Sequence, residues 1–371
     1  MAAAAVCMFS AGQCALADDI PDGFVTSGGQ TYYYKNGSKV TGWMTYEGHQ
    51  FYFYRSSSTS SGKKHSKGAM ALGWQLIDGE KYYFYRSSKT RSGESHAKGA
   101  MALGWQLIDG YRYYFYKTSK TASGASHTKG AMASGWQTID GEKYYFVRSS
   151  APYGKSGVMA TGAMNIEDKG YILSSRGKIL MKDMNGWYKV DGNFYFCDRK
   201  TGKLIKDKTV NGIKIAKDGK AVMDKYAEEK IPVMIRARQI IEEICDKKDS
   251  LKTKQYKCYK YVAKPPYLMK HHPLRKQRDK YACFTAIYAN DILNAYGDQK
   301  KIGGECVAES SALGYLYNEL DFGQVYLCDD GGHAWIEIDG RTWDPLFVEA
   351  KGKTWYNRKG YAYRALNKTP I

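Results

Sequence analysis

A repeated unit dominates the N-terminal half of this 371-residue chain. Residues 67–97 read KGAMALGWQLIDGEKYYFYRSSKTRSGESHA, and residues 98–128 read KGAMALGWQLIDGYRYYFYKTSKTASGASHT. A third copy starts at Lys129. Tryptophan recurs at intervals of 31 residues, at Trp43, Trp74, Trp105 and Trp136. Self-similarity at a fixed period is typical of repeat architectures, and it constrains this fold more than any other feature of the sequence.

Each unit has the pattern of one β-hairpin. Gly-Trp begins a short strand, Asp-Gly forms a two-residue turn, and Tyr-Tyr-Phe forms the return strand. One hairpin cannot bury its aromatic face alone, so neighbouring hairpins are expected to stack into a solenoid. Residues 165–222 diverge but still alternate and still turn at glycine, which predicts the last irregular hairpins of the array. We therefore expect an all-β solenoid over residues 18–222.

The units resemble choline-binding and related cell-wall-binding repeats of Gram-positive bacteria. The resemblance rests on Gly-Trp followed by Asp-Gly, Tyr-Tyr-Phe and Gly-Ala-Met. It implies that aromatic residues from adjacent hairpins form cages for quaternary ammonium groups. The candidate cage residues are Trp43, Trp74, Tyr83, Trp105, Tyr114, Trp136 and Tyr145, with Met101 and Met132 nearby. The unit is longer than the usual repeat of roughly 20 residues, so choline, teichoic acid and glycan all remain open as wall ligands.

The start of the chain and its charge favour an exported protein at an anionic surface. Residues 1–17 contain an apolar stretch that ends in Ala15-Leu16-Ala17, which is typical of a signal peptide, although no basic residue precedes it. Residues 1–222 carry 31 Lys and Arg against 17 Asp and Glu, a net charge of +14, whereas residues 223–371 carry +5. This balance suits an anionic cell wall, and no motif supports nucleic acid. We expect a secreted, wall-associated protein without a transmembrane anchor.

From Tyr226 onward, apolar residues recur at helical spacing, which predicts a second domain over residues 223–371. Helices are expected over residues 231–244, 252–262, 281–296 and 306–320. The sequence thus predicts a multidomain chain, in which an α+β domain follows the repeat array. The domain boundary is expected between Val222 and Lys225.

Three reactive side chains occur in order within the second domain: Cys306, His333 and Asp344. Cys306 follows Gly303-Gly304 and opens a helix-like run, where unpaired backbone N–H groups stabilise a thiolate. Asp339-Gly340 predicts a two-residue hairpin that brings Asp344 beside His333. From there the carboxylate can hold the imidazole in one tautomer and stabilise its cation. This arrangement is suited to nucleophilic acyl transfer.

The flanks GGEC, GGHAW and TWDPL resemble the transglutaminase-like superfamily, whose core has a Cys at a helix N-terminus, a His-Ala-Trp strand and an Asp on the next strand. The resemblance covers residues 224–350 and implies a papain-like fold. Cys306 would attack a carboxamide or peptide carbonyl, and His333, oriented by Asp344, would transfer the proton. Water as second substrate gives a protease or amidase, and an amine gives a cross-linking transglutaminase. The substrate is expected to be a peptide or a protein.

Two other interpretations stay open. A surface adhesin or wall-anchored scaffold could retain the transglutaminase-like fold without using it. A secreted lytic factor could use the repeats to bind sugar polymers of other cells. The complete triad favours an enzyme, because a retired site need not keep all three groups.

The remaining polar motifs are interpreted as structural. His65, His96 and His127 recur once per repeat, which indicates a copied loop hydrogen bond rather than a metal site. Asp329 and Asp330 provide too few oxygens for calcium and are expected to form a solvated turn. The eight cysteines show no CxxC spacing, which argues against zinc and leaves disulfide pairing open. We expect neither a metal nor a cofactor.

Overall fold

The computed structural model describes residues 21–58, 64–89, 95–120, 124, 126–148, 155–263, 278, 280–294, 306–321, 323–352, 355–361 and 363–371. The chain divides into two compact units, Met1–Ala160 and Thr161–Ile371. The predicted signal peptide, Gly303 and Gly304 lie outside the described residues.

The first unit is a series of two-stranded antiparallel hairpins, the first of which has a short third strand. They pair Gly23–Ser27 (β1) with Gln30–Lys35 (β2) and Ser38–Lys39 (β3), Gly42–Tyr46 (β4) with His49–Phe53 (β5), Gly73–Ile77 (β6) with Glu80–Phe84 (β7), Gly104–Ile108 (β8) with Tyr111–Phe115 (β9), and Gly135–Ile139 (β10) with Glu142–Phe146 (β11).

The turn residues explain why each repeat folds back on itself. Asp78, Asp109 and Asp140 have φ angles of 49°, 52° and 53°, and the glycine after each has a φ angle between 80° and 84°. Two consecutive left-handed residues make the turn whose twist matches that of the flanking strands. The predicted hairpins at Gly-Trp, Asp-Gly and Tyr-Tyr-Phe are therefore confirmed.

The Gly-Ala-Met segments connect one hairpin to another. The backbone N–H of Met101 donates to the carbonyl of Gln50 at 2.7 Å, and that of Met132 donates to Lys81 at 2.8 Å. Met101 follows the β6–β7 hairpin, and its bond reaches the hairpin before that one, β4–β5. Met132 follows the β8–β9 hairpin and is bonded in the same way to β6–β7. The four return strands β5, β7, β9 and β11 each end in a phenylalanine with 0% exposure: Phe53, Phe84, Phe115 and Phe146. Repeated stacking thus builds the predicted solenoid of hairpins.

The second unit begins with diverged hairpins and ends in an α+β region. Its hairpin strands are Gly162–Ile166 (β12), Lys169–Leu173 (β13), Ile179–Met181 (β14), Gly186–Val190 (β15), Asn193–Cys197 (β16), Lys208–Val210 (β17) and Ile213–Ile215 (β18). Fully buried Trp187 shares one apolar core with Ile213 of β18 and Ile231, a residue of the helical region. The expected boundary at residues 222–225 marks the change from strands to helices, but the compact unit itself begins at Thr161.

Five helices and five strands make up the α+β region within the described residues. The helices are Lys225–Ile244 (α1), Leu251–Val262 (α2), Phe284–Leu293 (α3), Cys306–Glu319 (α4) and Pro345–Lys351 (α5). The strands are Tyr326–Asp329 (β19), Ala334–Ile338 (β20), Arg341–Trp343 (β21), Arg358–Lys359 (β22) and Asn367–Pro370 (β23). Their order in the antiparallel sheet is β22-β21-β20-β19-β23.

Helix α4 is the centre of this region. Every residue from Val307 to Asn318 is buried. A Cβ atom added at Gly314 would lie 2.2 Å from Cδ1 of Ile371 and 3.5 Å from Cγ2 of Ile336 in β20. Glycine therefore lets the helix lie close against the sheet and the chain terminus.

Candidate functional site

Cys306 is the first residue of α4 and is half-buried, whereas the twelve residues that follow it are buried. The helix therefore presents its first side chain at the edge of the core. This position agrees with the predicted thiol in the first turn of a helix, where free N–H groups favour an anion.

The backbone before β20 holds His333 in place. Oδ1 of Asp330 accepts hydrogen bonds from the N–H groups of Gly332 at 2.9 Å and His333 at 2.7 Å. On the other side of the histidine, the buried hydroxyl of Ser310 in α4 donates to the carbonyl of Ala334 at 3.1 Å. These contacts fix the strand that carries the histidine against the helix that carries the cysteine.

Asp344 lies at the end of β21, which pairs with β20 across the Asp339-Gly340 turn. The imidazole Nε2 of His333 donates to Oδ2 of Asp344 at 2.6 Å. The carboxylate has 0% exposure. Its burial is compensated because Oδ2 also accepts from the hydroxyl of Tyr361, and Oδ1 accepts from the N–H of Phe347 at 2.9 Å. The last bond caps helix α5.

The contacts of His333 favour its cation. Burial alone would lower the pKa, but hydrogen bonds to Asp344 and Cys306, together with their charges, raise the pKa of His333 from 6.5 to about 9. Since Nε2 is bonded to Asp344, Nδ1 is the ring nitrogen left for the Cys306 thiol. The structure thus brings the three predicted site residues together.

Stacked aromatic side chains pack beside His333, and the sequence analysis did not predict them. The ring of Phe347 stacks on the imidazole with a centroid distance of 4.0 Å and an angle of 11°. Tyr361 stacks on Trp335 at 4.2 Å. Burial and the hydrogen bond to Asp344 raise the pKa of Tyr361, which keeps its hydroxyl a donor. No local pattern marks Tyr361, because it reaches the site from 17 residues away.

The expected solvated turn at Asp329-Asp330 is only half correct. Asp330 orders the turn before His333, but Asp329 is 2% exposed. Its carboxylate pairs with Arg278 and accepts from the amide of Asn367 at 3.0 Å. In the described part of the chain, no group of three or more His, Cys, Asp or Glu side chains is arranged to hold a metal ion.

The repeat aromatics meet where one hairpin packs on the next. Trp43, Trp74 and Trp105 each contact the tyrosine opposite in the same hairpin and a second tyrosine of the following hairpin. We name these groups junction 1 (Trp43, Tyr52, Tyr82), junction 2 (Trp74, Tyr83, Tyr113) and junction 3 (Trp105, Tyr114, Tyr144). The ring centroids in each group lie 4.9–5.3 Å from the tryptophan.

The junctions contain the predicted Trp74, Tyr83, Trp105, Tyr114 and Trp43, but the partners from the following hairpin were missed. Met101 lies in the apolar cluster of junction 1 and Met132 in that of junction 2.

The last of the four tryptophans has a different environment. Trp136 contacts Tyr145 at 5.1 Å, and the ammonium of Lys143 lies 4.8 Å from its ring centroid.

The loop histidines make the same structural contacts in each repeat. The rings of His65, His96 and His127 stack on Tyr54, Tyr85 and Tyr116 at 3.6–3.7 Å. The backbone N–H of His65 donates to the carbonyl of Ser57 at 3.0 Å, and the other two repeat this bond. The copied loop hydrogen bond therefore exists, and the backbone N–H of each histidine donates it.

The six cysteines in the described residues are free thiols. Among the described residues, no helix combines the length and the apolar character needed to cross a membrane.

Comparison with known families identifies the repeats. The family of cell wall binding repeats matches residues 73–87 and 134–150, which cover two of the hairpins. The chain carries cell wall binding repeats of the choline-binding type. No sequence among characterised proteins matches the chain.

Several solved structures are similar to part of the chain. Choline binding protein F from Streptococcus pneumoniae is 25% identical over 55% of this chain and 58% of its own, with a TM-score of 0.32. The structure of the same protein in the presence of a peptidoglycan analogue, a tetrasaccharide-pentapeptide, has a TM-score of 0.33 with this chain. The pneumococcal cell wall endolysin from phage Cp-1, complexed with choline, is 20% identical over 46% of this chain and 39% of its own, with a TM-score of 0.24. The chain therefore spans less than two thirds of these relatives.

Proposed function

We propose that this protein is an exported, wall-associated cysteine enzyme that transfers or hydrolyses the acyl group of a peptide amide. The observation that carries the proposal is the fully buried Asp344 bonded to His333 at 2.6 Å, with Cys306 as the other partner of the imidazole. On this proposal, the α+β region is a papain-like domain of the transglutaminase-like superfamily.

The proposed reaction follows from the positions of these groups. In the proposed starting state Nδ1 of His333 already holds the thiol proton, since the pKa of this imidazole is raised to about 9, and the Sγ thiolate of Cys306 attacks the amide carbonyl carbon. The tetrahedral oxyanion forms near the backbone N–H of Cys306, which can stabilise it. Collapse breaks the C–N bond, and the imidazolium returns its proton to the leaving amine. Water or a primary amine then attacks the thioester, with His333 as base, and releases an acid or a new amide.

The repeat array supplies the proposed targeting. Each junction offers three aromatic rings from two hairpins, and such groups attract cations through their ring faces. The comparison structures include one with choline and one with a peptidoglycan analogue, which supports a wall polymer of Gram-positive bacteria as partner. Binding to the wall would raise the local concentration of wall peptides at the triad.

Mass spectrometry distinguishes hydrolysis, transfer to an amine and the absence of any reaction. The full chain is incubated with wall peptides and a primary amine, beside a Cys306→Ala variant and a Cys245→Ala control. Cys245 is half-buried like Cys306 but lies outside the triad. Hydrolysis that depends on Cys306 identifies a peptidase or amidase, and an amine adduct identifies a transglutaminase. If Cys306→Ala keeps full activity, the assignment is wrong. If no chemistry occurs while the protein still sediments with walls, the protein is a binding scaffold.

A further inference from the structure

A pocket of about 410 Å³ opens at junction 2. Trp74, Tyr113, Leu76 and Met132 form its apolar lining, and Lys81 and Lys155 also line it. The ammonium of Lys155 lies 4.8 Å from the ring centroid of Tyr111. Leu76 is 57% exposed, so apolar surface is presented to solvent at this place. The volume falls in the range of roughly 300–1,000 Å³ that holds a whole small molecule. A bare trimethylammonium group would leave much of it empty.

The two lysines distinguish junction 2 from junction 1. In the repeat register, Lys81 corresponds to Gln50, because Lys81 pairs with Leu76 and Gln50 pairs with Thr45 at the same place in the two hairpins. Lys155 corresponds to Thr128, because each lies two residues before a glycine whose N–H donates to the preceding return strand at 2.7 Å. Junction 1 therefore has two uncharged side chains where junction 2 has two cations.

The cluster contacts support this correspondence. Ala131, three residues after Thr128, packs in the cluster that contains Trp43. Val158, three residues after Lys155, packs in the cluster that contains Trp74. The segment that ends in a Gly-x-Met motif thus returns to each junction in the same way, and only its charge differs.

Two ammonium groups in one pocket disfavour a cationic ligand and attract an anion. The apolar and aromatic lining suits the C–H faces of a sugar ring, while its charged substituent can reach the lysines. We propose that junction 2 binds a sugar unit that carries an anionic group, phosphate or carboxylate. This inference deepens the wall binding proposed above and rests on it, since it names one chemical group of the wall polymer.

Calorimetry on the full chain tests the site with defined probes. Glucose 6-phosphate and glucuronic acid represent the two anionic groups, and glucose and inorganic phosphate represent the separate halves. We expect one equivalent of an anionic sugar to bind at least tenfold more tightly than glucose, with an affinity that falls as salt rises. Lys81→Gln combined with Lys155→Gln should abolish this preference. Lys143→Gln, at the equivalent of Lys81 in a later repeat, is the matched control and should leave it unchanged.

A gain of function gives an independent test. Gln50→Lys combined with Thr128→Lys transfers the charge pair to junction 1 and should add a second binding equivalent. Equal affinity for glucose and both anionic sugars would overturn the inference, and so would a preference that survives in the Lys81 and Lys155 double variant. Inorganic phosphate that binds as tightly as the sugar would mean a simple anion site and would also overturn it. If the wild-type protein binds the anionic sugar but does not sediment with walls, the proposed wall targeting is refuted and the inference about the sugar site is not.

Discussion

The substitution Asp344→Asn tests the triad through the charge state of His333. The buried carboxylate accepts from three donors: Nε2 of His333, the hydroxyl of Tyr361 and the N–H of Phe347. An asparagine can keep the cap on α5 with its Oδ1, as asparagine does at many helix N-termini. Its NH₂ group then faces Nε2, so a neutral imidazole must carry its proton on Nδ1. That nitrogen faces Cys306 and can no longer act as the base.

The structure sets the size of the effect. The pKa of His333 is raised from 6.5 to about 9, and this difference corresponds to about 3 kcal/mol in favour of the cation. Burial, the largest single influence, acts against the cation. Without the charge of Asp344, only Cys306 still opposes the effect of burial, and we expect the pKa to fall from about 9 toward 6.5. Loss of a positioned base is also expected to lower kcat/KM by roughly 10²–10⁴-fold.

Histidine-selective NMR on the full chain measures this pKa without any substrate. Protein labelled with ¹³C-histidine is titrated from pH 5 to pH 10, and the His333 resonance is assigned with a His333→Gln variant. Tyr361→Phe is the matched control, because it removes one donor to Asp344 but keeps the charge. Its His333 should still titrate well above 6.5. A wild-type resonance that titrates near 6.5, or an Asp344→Asn variant that keeps a value near 9, would refute the reasoning.

The raised pKa of His333 also makes the stability of the fold depend on pH. Because the folded state raises the pKa of His333, the ion pair stabilises the fold fully below pH 6.5, and this contribution is lost as the pH rises through about 9. The difference in free energy of unfolding between the wild type and Asp344→Asn should therefore be largest near pH 6, up to about 3 kcal/mol, and should shrink by pH 10. Urea denaturation at the two pH values measures it.

Three further outcomes are expected. The guanidinium of Arg199 lies 2.5 Å from the carboxylate of Glu319, whose side chain is 2% exposed. Arg199→Met removes this cation and should reduce the free energy of unfolding, measured by urea denaturation, by about 3–5 kcal/mol. Gly130→Ala places a Cβ atom 2.2 Å from the sulfur of Met101 at a φ angle of +79° and should destabilise the array by about 1–3 kcal/mol, which thermal melting of the full chain detects. Iodoacetamide at pH 6 should alkylate Cys306 faster than a model thiol and faster than the buried cysteines, as peptide mapping would show; equal rates would mean that the thiol is not activated.

The local features of the sequence predicted the local features of the fold. The Asp-Gly turns produce hairpins because aspartate and glycine tolerate the two left-handed positions that the turn requires. The order Cys306, His333, Asp344 also predicted a compact site, since a helix start and one hairpin are enough to bring these residues together. The hairpin turns depend on contacts between neighbours in the chain, whereas the site was predictable because the order and flanks of its three residues form a pattern.

Contacts that depend on packing between distant segments were not predictable. Tyr113 completes junction 2 from the next repeat, whereas in its own hairpin it lies opposite Gln106 and not opposite Trp105. Asp329 looks like half of an acidic turn, but the sheet buries it and Arg278 neutralises it. Trp187 reads as a diverged repeat tryptophan, yet it is buried against the helices because its hairpin belongs to their compact unit.

Asp344 connects the stability of the second unit with its proposed chemistry. A carboxylate without exposure to solvent is costly unless its oxygens are hydrogen-bonded, and here three donors from separate parts of the chain satisfy them. One donor lies in helix α5, one comes from the segment after β22, and one is the imidazole of His333. The fold therefore forms its buried polar centre only when His333 is already oriented. Reorganisation during the reaction is then small, which is the condition under which a fixed hydrogen-bond network contributes most to catalysis.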